Sequence, residues 1–546
     1  MAVRADRLGS RSLRRPPSAS PRTPRPRSAR ASTDLPGSAV PTRSERQTHP
    51  ADLRGESRVM ELTDVARERL VADAVRAGEI WAQTSPVDRA TVLGAVADAL
   101  DAAADSLVPI AITETHLPEP RLRGELTRTT FQLRLLAESA AAGEHLDVRI
   151  DHADADWPMG APRPDLRRTA VPLGPVIVFA ASNFPFAFSV AGGDTASALA
   201  AGCPVILKAH GGHPELSLAT AKVVTDALRD AGAPDGLFAL VEEASDARAI
   251  LTHPEIKAGA FTGSIPAGRT LFDLAQARAE PIPFYGELGS VNPVFVTERA
   301  ANQRPQEITD GFLASFTLGA GQFCTKPGVL LAPAGSDLVE RLGAAALPAA
   351  APLLNDRIVA GHREVLDELL RHPGVTALVG GDEEPADPPA PVLLATTADV
   401  LLEDVDGILT ECFGPTAVVV TYRDEKQLLE VARALDGQLT ATIAGETDDA
   451  IVPELAATLA RKAGRVLWNQ WPTGVSVTHA QQHGGPYPAT TAPGTTSVGT
   501  AALSRFVRPV AWQGFPDTLL PDELRDTPHH PIARRIDGRL IPGGTA

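Results

Sequence analysis

The stretch Gly319-Ala320-Gly321-Gln322-Phe323-Cys324-Thr325-Lys326-Pro327-Gly328 places one cysteine among small residues. The glycines before it let backbone or a ligand approach the thiol closely. A lone cysteine in a chain with few cysteines is commonly a small buried hydrophobe. The alternative is a nucleophilic thiolate, which requires a base and an oxyanion donor from elsewhere in the chain. Residues on both sides of this stretch must decide between the two interpretations.

The composition describes a large, acidic protein. The chain has 546 residues, 43% of them hydrophobic, and this length predicts more than one domain. Three cysteines exclude a disulfide scaffold and predict a cytoplasmic protein. The net charge of -16 argues against a nucleic-acid partner. Because no run of about 18 apolar residues occurs, we expect no membrane span.

The first 59 residues differ from the rest in being rich in Arg, Pro and Ser. Such a segment cannot bury a core, so we predict disorder. It lacks the apolar stretch of a signal peptide. Three interpretations stay open: a transit peptide, although its prolines oppose an amphipathic helix; a functionless tail; and translation that begins near Met60, which we favour. We expect deletion of residues 1–59 to leave activity and solubility unchanged.

The rest of the chain alternates between predicted strands and helices. Residues 61–145 have helical spacing, and short apolar strands alternate with helices from Arg167 onward. The first predicted strands cover 176–180, 204–207, 237–241 and 258–261. This alternation predicts a parallel, doubly wound sheet, with ligands at the carboxyl ends of its strands. A second α/β unit is predicted from about 308 to 477.

Three of the turns after these strands carry candidate binding groups. Asn183 has an amide that can donate to an oxyanion, although asparagine also shapes turns. Lys208 follows the second strand, where an ammonium can reach a ribose hydroxyl, although lone lysines are commonly solvated. Gly263 and Ser264 open a helix whose free amides suit a pyrophosphate. The spacing is not Gly-x-Gly-x-x-Gly, so the signal of this last turn is weak.

Carboxylates supply the remaining candidates. Glu287 lies between glycines and before an apolar strand, so we expect a raised pKa and a role as general base. The alternative is an ordinary exposed turn carboxylate. His152, Asp154 and Asp156 form a run that is typical of a solvated strand or loop, so we predict no metal site.

The order of these motifs carries more information than any one of them. Asn183, Lys208, Phe-Thr-Gly-Ser ending at Ser264, Glu287-Leu-Gly, Gly-Gln-x-Cys324 and Glu411-x-Phe-Gly-Pro occur in succession. This order resembles the aldehyde dehydrogenase superfamily over residues 61–530. The resemblance implies two doubly wound α/β domains with a small β oligomerisation extension. The implied segments are a disordered extension 1–59, a dinucleotide-binding domain 60–147 and 169–286, a catalytic domain 287–483, bridging segments 148–168 and 484–510, and a tail 511–546.

The resemblance also implies the role of each residue. Cys324 would be the nucleophile, Glu287 the general base, and Asn183 with the Cys324 amide the oxyanion hole. NADP or NAD would be held by Lys208, His210, Gly263, Ser264, Glu411 and Phe413. Many NAD-using relatives have a glutamate soon after the lysine, whereas this chain has no acid between Lys208 and Glu215. We therefore expect NADP to be used at least as well as NAD.

A narrower resemblance concerns the substrate. The stretches 163–168, 192–204 and 485–490 are similar to the branch of the family that oxidises 2,5-dioxopentanoate to 2-oxoglutarate. Arg163, Arg167 and Arg505 are candidate anchors for its distal carboxylate. The alternatives are an NADP-dependent fatty or other aliphatic aldehyde dehydrogenase, a coenzyme A-acylating enzyme, against which Glu287 argues, and a non-catalytic protein. The implied partners are a small aldehyde and further copies of the chain, in a homodimer or homotetramer.

Overall fold

The computed structural model describes residues 61–381 and 386–543, so the predicted disorder of residues 1–59 lies outside the described part. The α-helices are α1 Asp64–Gln83, α2 Pro86–Ala102, α3 Ala104–Thr115, α4 Glu119–Ala142, α5 Gly193–Ala201, α6 Pro214–Asp230, α7 Ala244–Thr252, α8 Ile265–Gln276, α9 Glu298–Gln303, α10 Pro305–Thr317, α11 Leu338–Ala344, α12 Asp356–Arg371, α13 Ala398–Glu403, α14 Val405–Ile408, α15 Glu425–Ala434 and α16 Val452–Leu459.

The strands assemble into three sheets. They are β1 Arg149–Asp151, β2 Leu166–Pro172, β3 Val176–Phe179, β4 Val205–Lys208, β5 Phe238–Val241, β6 Ala258–Thr262, β7 Phe284–Glu287, β8 Val294–Val296, β9 Val329–Pro333, β10 Thr376–Val379, β11 Val392–Thr397, β12 Thr416–Tyr422, β13 Gln438–Ala444, β14 Ala463–Trp468, β15 Val507–Gln513, β16 Arg534–Ile536 and β17 Arg539–Ile541.

The first sheet is parallel throughout, with the order β5-β4-β3-β6-β7. Its central strand β3 is buried along its whole length, as expected for a sheet covered on both faces. The chain runs outward from β3 to β5 and then returns to the other side of β3. The strand order therefore reverses between β3 and β6, and a crevice opens outside the carboxyl ends of such strands.

The second sheet has the order β10-β11-β12-β9-β8-β13-β14 and is parallel except for its edge strand β10. The segment with Cys324 connects α10 to β9 through a 3₁₀ turn, Leu318–Gly321. Gly321 has a φ of 70°, and a Cβ on it would lie 2.1 Å from the carbonyl oxygen of Gly414. A side chain at this position would thus push the nucleophile segment away from the loop before β12.

The third sheet is small and mainly antiparallel, with the order β15-β2-β1-β16-β17. Part of it comes from residues predicted to be a C-terminal tail, because β16 and β17 lie there and complete the sheet beyond β1. The predicted fold class, two doubly wound α/β units with a small β extension, is confirmed. Among the described residues, no helix is long and apolar enough to cross a membrane.

Candidate active site

The carboxyl edge of the first sheet collects four of the predicted site segments. Asn183 follows β3, Lys208 ends β4, Gly263 and Ser264 follow β6, and Glu287 ends β7. Neighbouring strands place these ends side by side, since Phe179 pairs with Lys208 and Thr262 pairs with Glu287. The parallel topology therefore gathers groups that are far apart in the chain.

A buried histidine joins the predicted nucleophile to the predicted base. The Nε2 atom of His483 lies 3.5 Å from the Sγ atom of Cys324 and 2.8 Å from the Oε1 atom of Glu287. Each of the three side chains has an atom that could bind a metal, and these three atoms lie within 4.8 Å of one another. Ser497 donates a short hydrogen bond to the second carboxylate oxygen of Glu287. A thiol, an imidazole and a carboxylate are thus within proton-transfer reach.

The expected pKa of Glu287 is wrong. Burial acts to raise this pKa, but the nearby His483 and hydrogen bonds to His483 and Ser497 outweigh burial and hold it below the usual value of 4.5. The carboxylate is therefore ionised at neutral pH. The error arose because the apolar surroundings visible in the sequence were weighed without these two partners, which come from distant parts of the chain.

The pKa of the Cys324 thiol is shifted in the opposite direction, upward. Burial, followed by the negative charges of Glu287 and Glu411, raises the pKa of this thiol well above the usual value of 9.0. The protonated thiol therefore predominates at neutral pH, and nucleophilic attack requires an adjacent proton acceptor. The His483 and Glu287 pair lies where such an acceptor is needed.

The predicted oxyanion donors lie beside the nucleophile. Asn183 is buried, and its Nδ2 atom donates to the carbonyl oxygen of Gln322 at 3.2 Å. Asn292 holds the same loop from the other side by donating to the carbonyl oxygens of Cys324 at 2.7 Å and Lys326 at 2.9 Å. The side-chain amide of Asn183 thus faces the segment whose thiol would attack a carbonyl.

Lys208, the predicted ribose-binding residue, lies in a cluster of basic side chains at the end of β4. The pKa of Lys208 is lowered by burial, against which Glu243 acts, and Arg357 from the first turn of α12 lowers it further. Burial, with His213, Lys208 and Arg357, lowers the pKa of His210 to about 3, so its imidazole is uncharged at neutral pH.

An unused donor lies beside the same turn. The Nδ2 atom of Asn355 is buried and has no hydrogen-bond partner among the described residues. A Cβ on Gly212 would lie 2.8 Å from this nitrogen. A polar ligand at this turn would therefore find a free donor and two cationic side chains, Lys208 and Arg357.

The other predicted cofactor residues lie in two turns. Ser264 occupies the N-cap of α8 but makes no side-chain capping bond, so the first amides of this helix stay free for a phosphate. Glu411 and Phe413 precede β12, and a Cβ on Gly289 would lie 2.3 Å from a carboxylate oxygen of Glu411. Burial raises the pKa of Glu411 to about 7, although Lys326 and a backbone hydrogen bond from Ser290 oppose the shift.

Lys326 fixes the Glu411 loop to the nucleophile segment. Its ammonium donates to the carbonyl oxygens of Cys412 at 2.6 Å, Gly414 at 3.2 Å and Thr416 at 2.7 Å. The side chain is buried and uses all three of its protons in these bonds. The position of Glu411 relative to Cys324 thus depends on this lysine.

The two other cysteines are part of the packing. Cys203 is buried and donates to the carbonyl oxygen of Phe506, and burial raises the pKa of its thiol to about 11. Cys412 is buried in the core of the second sheet. Geometry rather than acidity therefore distinguishes Cys324 from the others.

Several predicted groups have other partners. His152 contacts Asp526 and Asp537. The candidate anion anchors are also paired: Arg163 with Asp537, Arg167 with Asp165 and Asp526, and Arg505 with Asp194. Among the described residues, the grouping with metal-ligand spacing is Glu287, Cys324 and His483, which is the cluster around the predicted nucleophile and base. These ion pairs leave the three arginines without a free charge for a substrate.

Sequence reasoning did not assign a role to four residues of the site. They are Lys326, Arg357, His483 and Ser497. His483 stands two residues before a stretch already singled out at Gly485, yet nothing in a turn-rich segment shows where an imidazole will point. Only the folded structure shows that His483 lies beside Cys324 and Glu287.

Comparison with known proteins shows the family of the chain. Residues 40–490 match the Aldehyde dehydrogenase family. The chain is 44% identical over 460 residues to alpha-ketoglutaric semialdehyde dehydrogenase 2 of Azospirillum brasilense, covering 83% of this chain and 87% of that protein. It is 42% identical over 467 residues to alpha-ketoglutaric semialdehyde dehydrogenase of Acinetobacter baylyi, covering 84% and 88%.

Solved structures show the same fold. NADP-dependent glyceraldehyde-3-phosphate dehydrogenase from Bacillus halodurans, complexed with NADP, superimposes with a TM-score of 0.68 at 21% identity, covering 83% of this chain and 91% of that chain. The family match spans most of the chain and includes the cluster built around Cys324. The chain belongs to the aldehyde dehydrogenase family.

Proposed function

We propose that the chain oxidises 2,5-dioxopentanoate to 2-oxoglutarate, with NADP or NAD as the oxidant. The observation that carries the chemistry is the buried contact of His483 with both Cys324 and Glu287. The substrate is supported by relatives at 44% and 42% identity that are named alpha-ketoglutaric semialdehyde dehydrogenases.

The residues at the carboxyl edge of the first sheet fit a dinucleotide. Lys208 and the free amide of Asn355 suit the hydroxyls of the adenosine ribose, and the uncapped helix behind Ser264 suits the pyrophosphate. Glu411 can accept from the second ribose, and Phe413 lies in the same turn. The dinucleotide supplies one function when bound, acceptance of the hydride that leaves the aldehyde carbon.

Addition to the aldehyde begins with deprotonation of Cys324. Because the pKa of this thiol is raised, its proton must pass to the adjoining His483 and Glu287 pair as the sulfur attacks. The product is a thiohemiacetal, whose oxyanion would be stabilised by the side-chain amide of Asn183 and the backbone amide of Cys324. Removal of one such donor typically costs about 3 kcal/mol in the activation barrier.

Hydrolysis completes the reaction. After oxidation the acyl group is held on Cys324 as a thioester, and the ionised Glu287 accepts a proton from the attacking water. Transfer of the acyl group to coenzyme A would instead require the loss of a proton from the coenzyme A thiol, so it does not depend on a group that activates water. The buried carboxylate therefore favours release of the free acid over the acylating alternative.

We predict that NADP is used at least as well as NAD. The uncharged His210 does not repel a 2′-phosphate, and Arg357 places a second cationic group near Lys208. Arg357→Glu should lower kcat/KM with NADP and leave that with NAD nearly unchanged. Arg371→Glu, at the far end of α12, is the matched control. A wild-type preference for NAD of about 100-fold or more, which is about 2.7 kcal/mol, would contradict the prediction.

A direct assay tests the proposed function. Purified protein is mixed with 2,5-dioxopentanoate and NADP or NAD, with and without coenzyme A, and reduced cofactor and 2-oxoglutarate are measured. We expect 2-oxoglutarate in a one-to-one ratio with reduced cofactor and no acceleration by coenzyme A. A higher kcat/KM with long aliphatic aldehydes would replace this substrate with the fatty-aldehyde alternative.

We also propose a cytoplasmic homodimer or homotetramer. All three cysteines are free, which suits a reducing compartment. Strand β17, at the edge of the third sheet, exposes Leu540 and Ile541, and such an edge favours pairing with another chain. Light scattering would test the assembly, and Leu540→Lys should shift it toward the monomer.

A further inference from the structure

One face of α4 carries four polar side chains with unused hydrogen-bonding atoms. Arg121, Glu125, Arg128 and Gln132 are three or four residues apart, so they share a face of the helix. Each has a buried side-chain atom without a hydrogen-bond partner among the described residues: Nη1 of Arg121, Oε2 of Glu125, Nη1 of Arg128 and Nε2 of Gln132. Buried polar atoms are nearly always paired, so such a row indicates a polar ligand.

The first arginine lies against the residues that flank the catalytic groups. The guanidinium carbon of Arg121 is 4.8 Å from the ring centre of Phe323 and 5.3 Å from that of Phe184. Phe323 precedes Cys324, and Phe184 follows Asn183. One nitrogen of Arg121 donates to the carbonyl oxygen of Asn183 at 2.8 Å, which leaves the Nη1 atom free.

The second arginine lies one aromatic ring away from the catalytic histidine. The guanidinium carbon of Arg128 is 5.3 Å from the ring centre of Phe188, which is 6.2 Å from the ring centre of His483. The side chain is largely buried, and its charge acts on both Cys324 and Glu287. A buried guanidinium facing a site from this distance is well placed to bind an anion there.

The charges on this face do not balance. Glu125 is the acidic member, and its Oε1 atom already accepts from the backbone amides of Phe186 at 2.8 Å and Ala187 at 3.0 Å. Among the described residues, neither Arg121 nor Arg128 forms an ion pair with any carboxylate. The charge of Glu125 acts on both arginines, so two cationic groups share one carboxylate, and the surplus positive charge favours an anionic ligand.

We propose that Arg121 and Arg128 form the subsite for the carboxylate at the far end of the aldehyde substrate. This proposal rests on the proposed function, and it specifies how the same site selects its substrate. A guanidinium binds a carboxylate through paired hydrogen bonds, and the adjacent 2-oxo oxygen can accept another. The rings of Phe184, Phe188 and Phe323 enclose the short chain between the two ends. An uncharged aldehyde would leave both cations unpaired, so the site discriminates against it.

The test compares two aldehydes of equal length. 5-Oxopentanoate carries the distal carboxylate and pentanal lacks it. The ratio of their kcat/KM values therefore measures how much the subsite contributes to binding the carboxylate. Arg128→Met keeps the length of the side chain and removes its charge, and Arg121→Met does the same at the second position. The matched control is Arg134→Met on the same helix, because Arg134 is exposed and pairs with Asp98 and Asp101.

Arg128→Met should lower kcat/KM for 5-oxopentanoate by about 10- to 100-fold more than that for pentanal, which should change only through the charge that Arg128 exerts on Cys324 and Glu287. Arg128→Lys should recover part of the loss. Arg121→Met should show the same selective loss together with a general one, because Arg121 also binds the backbone of Asn183. An equal loss on both aldehydes, or no loss, in Arg128→Met would overturn the subsite.

The proposed function can fail separately from the subsite. If the wild type does not oxidise 2,5-dioxopentanoate, the proposed substrate is overturned, whereas the subsite is still decided by 5-oxopentanoate against pentanal. If the wild type oxidises 2,5-dioxopentanoate and Arg128→Met retains its full kcat/KM for this compound, the function stands and the subsite is overturned.

Discussion

Two glutamates near Cys324 have pKa values shifted in opposite directions. Both carboxylates act to raise the pKa of the Cys324 thiol, so both lie close enough for their charge to be felt. Yet the pKa of Glu287 lies below its usual value, whereas burial raises that of Glu411 to about 7. Burial is common to both residues and therefore does not explain the difference.

The direct partners of each carboxylate do explain it. Glu287 has an imidazole nitrogen at 2.8 Å and accepts a hydrogen bond from Ser497. The cation whose charge acts on Glu411 is Lys326, whose three protons are donated to backbone carbonyl oxygens instead. Glu411 accepts a backbone hydrogen bond from Ser290, but this bond and the charge of Lys326 do not offset burial, so its carboxyl titrates near neutral pH, whereas that of Glu287 stays ionised and can accept a proton from water.

The largest effect is expected from Glu287→Gln. Glutamine keeps the shape of the side chain but cannot accept a proton. The variant should form the thioester and then stall, giving a burst of reduced cofactor of at most one per active site. The steady rate should fall by about 10²- to 10⁴-fold, since general-base assistance is typically of that order. Stopped-flow absorbance measures both phases.

Two controls make this experiment decisive. Cys324→Ser should abolish the burst, because a hydroxyl is far less ionised than a thiol. The wild type must be run in parallel, since slow release of cofactor also gives a burst. Full steady turnover in Glu287→Gln would assign hydrolysis to another residue.

His483→Gln should act on the other half-reaction. It removes a proton acceptor beside a thiol whose pKa is raised, so the burst itself should slow by about 10- to 100-fold near neutral pH. Because more of the thiol ionises as pH rises, the burst rate of the variant should increase with pH more steeply than that of the wild type. Parallel pH profiles would show that His483 does not share in the deprotonation.

The sequence predicted the parts of the site that follow from strand order. Four of the predicted residues each follow or end a strand of one parallel sheet: Asn183, Lys208, Ser264 and Glu287. Because the carboxyl ends of parallel strands meet at one edge of the sheet, these residues were expected to lie close together. No periodic pattern exists for residues 470–500, and the direction of the His483 side chain there depends on the folded chain. The sign of the Glu287 pKa shift was wrong for the same reason.

The third sheet shows a second limit of prediction. Its strands β16 and β17 have three residues each, too few for an alternating pattern to be recognised. Strand β16 pairs with β1, which lies nearly 400 residues earlier in the chain. Such pairings depend on tertiary packing and have no local signal, so residues after 511 were predicted to be a tail.

A smaller effect, on stability, is expected from Lys326→Met. The substitution leaves three buried carbonyl oxygens without their donor, which should lower the free energy of unfolding by about 3 kcal/mol. The matched control is Lys462→Met, because Lys462 donates to a single carbonyl oxygen, that of Leu435, and should cost about 1 kcal/mol. Thermal unfolding compares the two variants, and equal shifts would show that the triple contact adds no stability.

The last effect is a pH dependence at Glu411. In the folded protein its pKa is about 7, against a usual value of 4.5, so between these values the folded state holds a proton that the unfolded state has released. Stability from this group therefore falls as pH rises through that window, and the full cost is present above it. Glu411→Gln cannot ionise and should gain melting temperature relative to the wild type as pH rises from about 5 to about 8. Glu403→Gln, an exposed change in α13, is the control. If the melting temperatures of the wild type and Glu411→Gln depend on pH in the same way over this range, the pKa of Glu411 is not raised in the folded protein. Dinucleotide affinity supplies an independent test of the proposed ribose contact, because an ionised carboxylate accepts hydrogen bonds from hydroxyls more strongly than a neutral carboxyl does. The wild-type affinity should weaken as pH falls through 7, and that of Glu411→Gln should not.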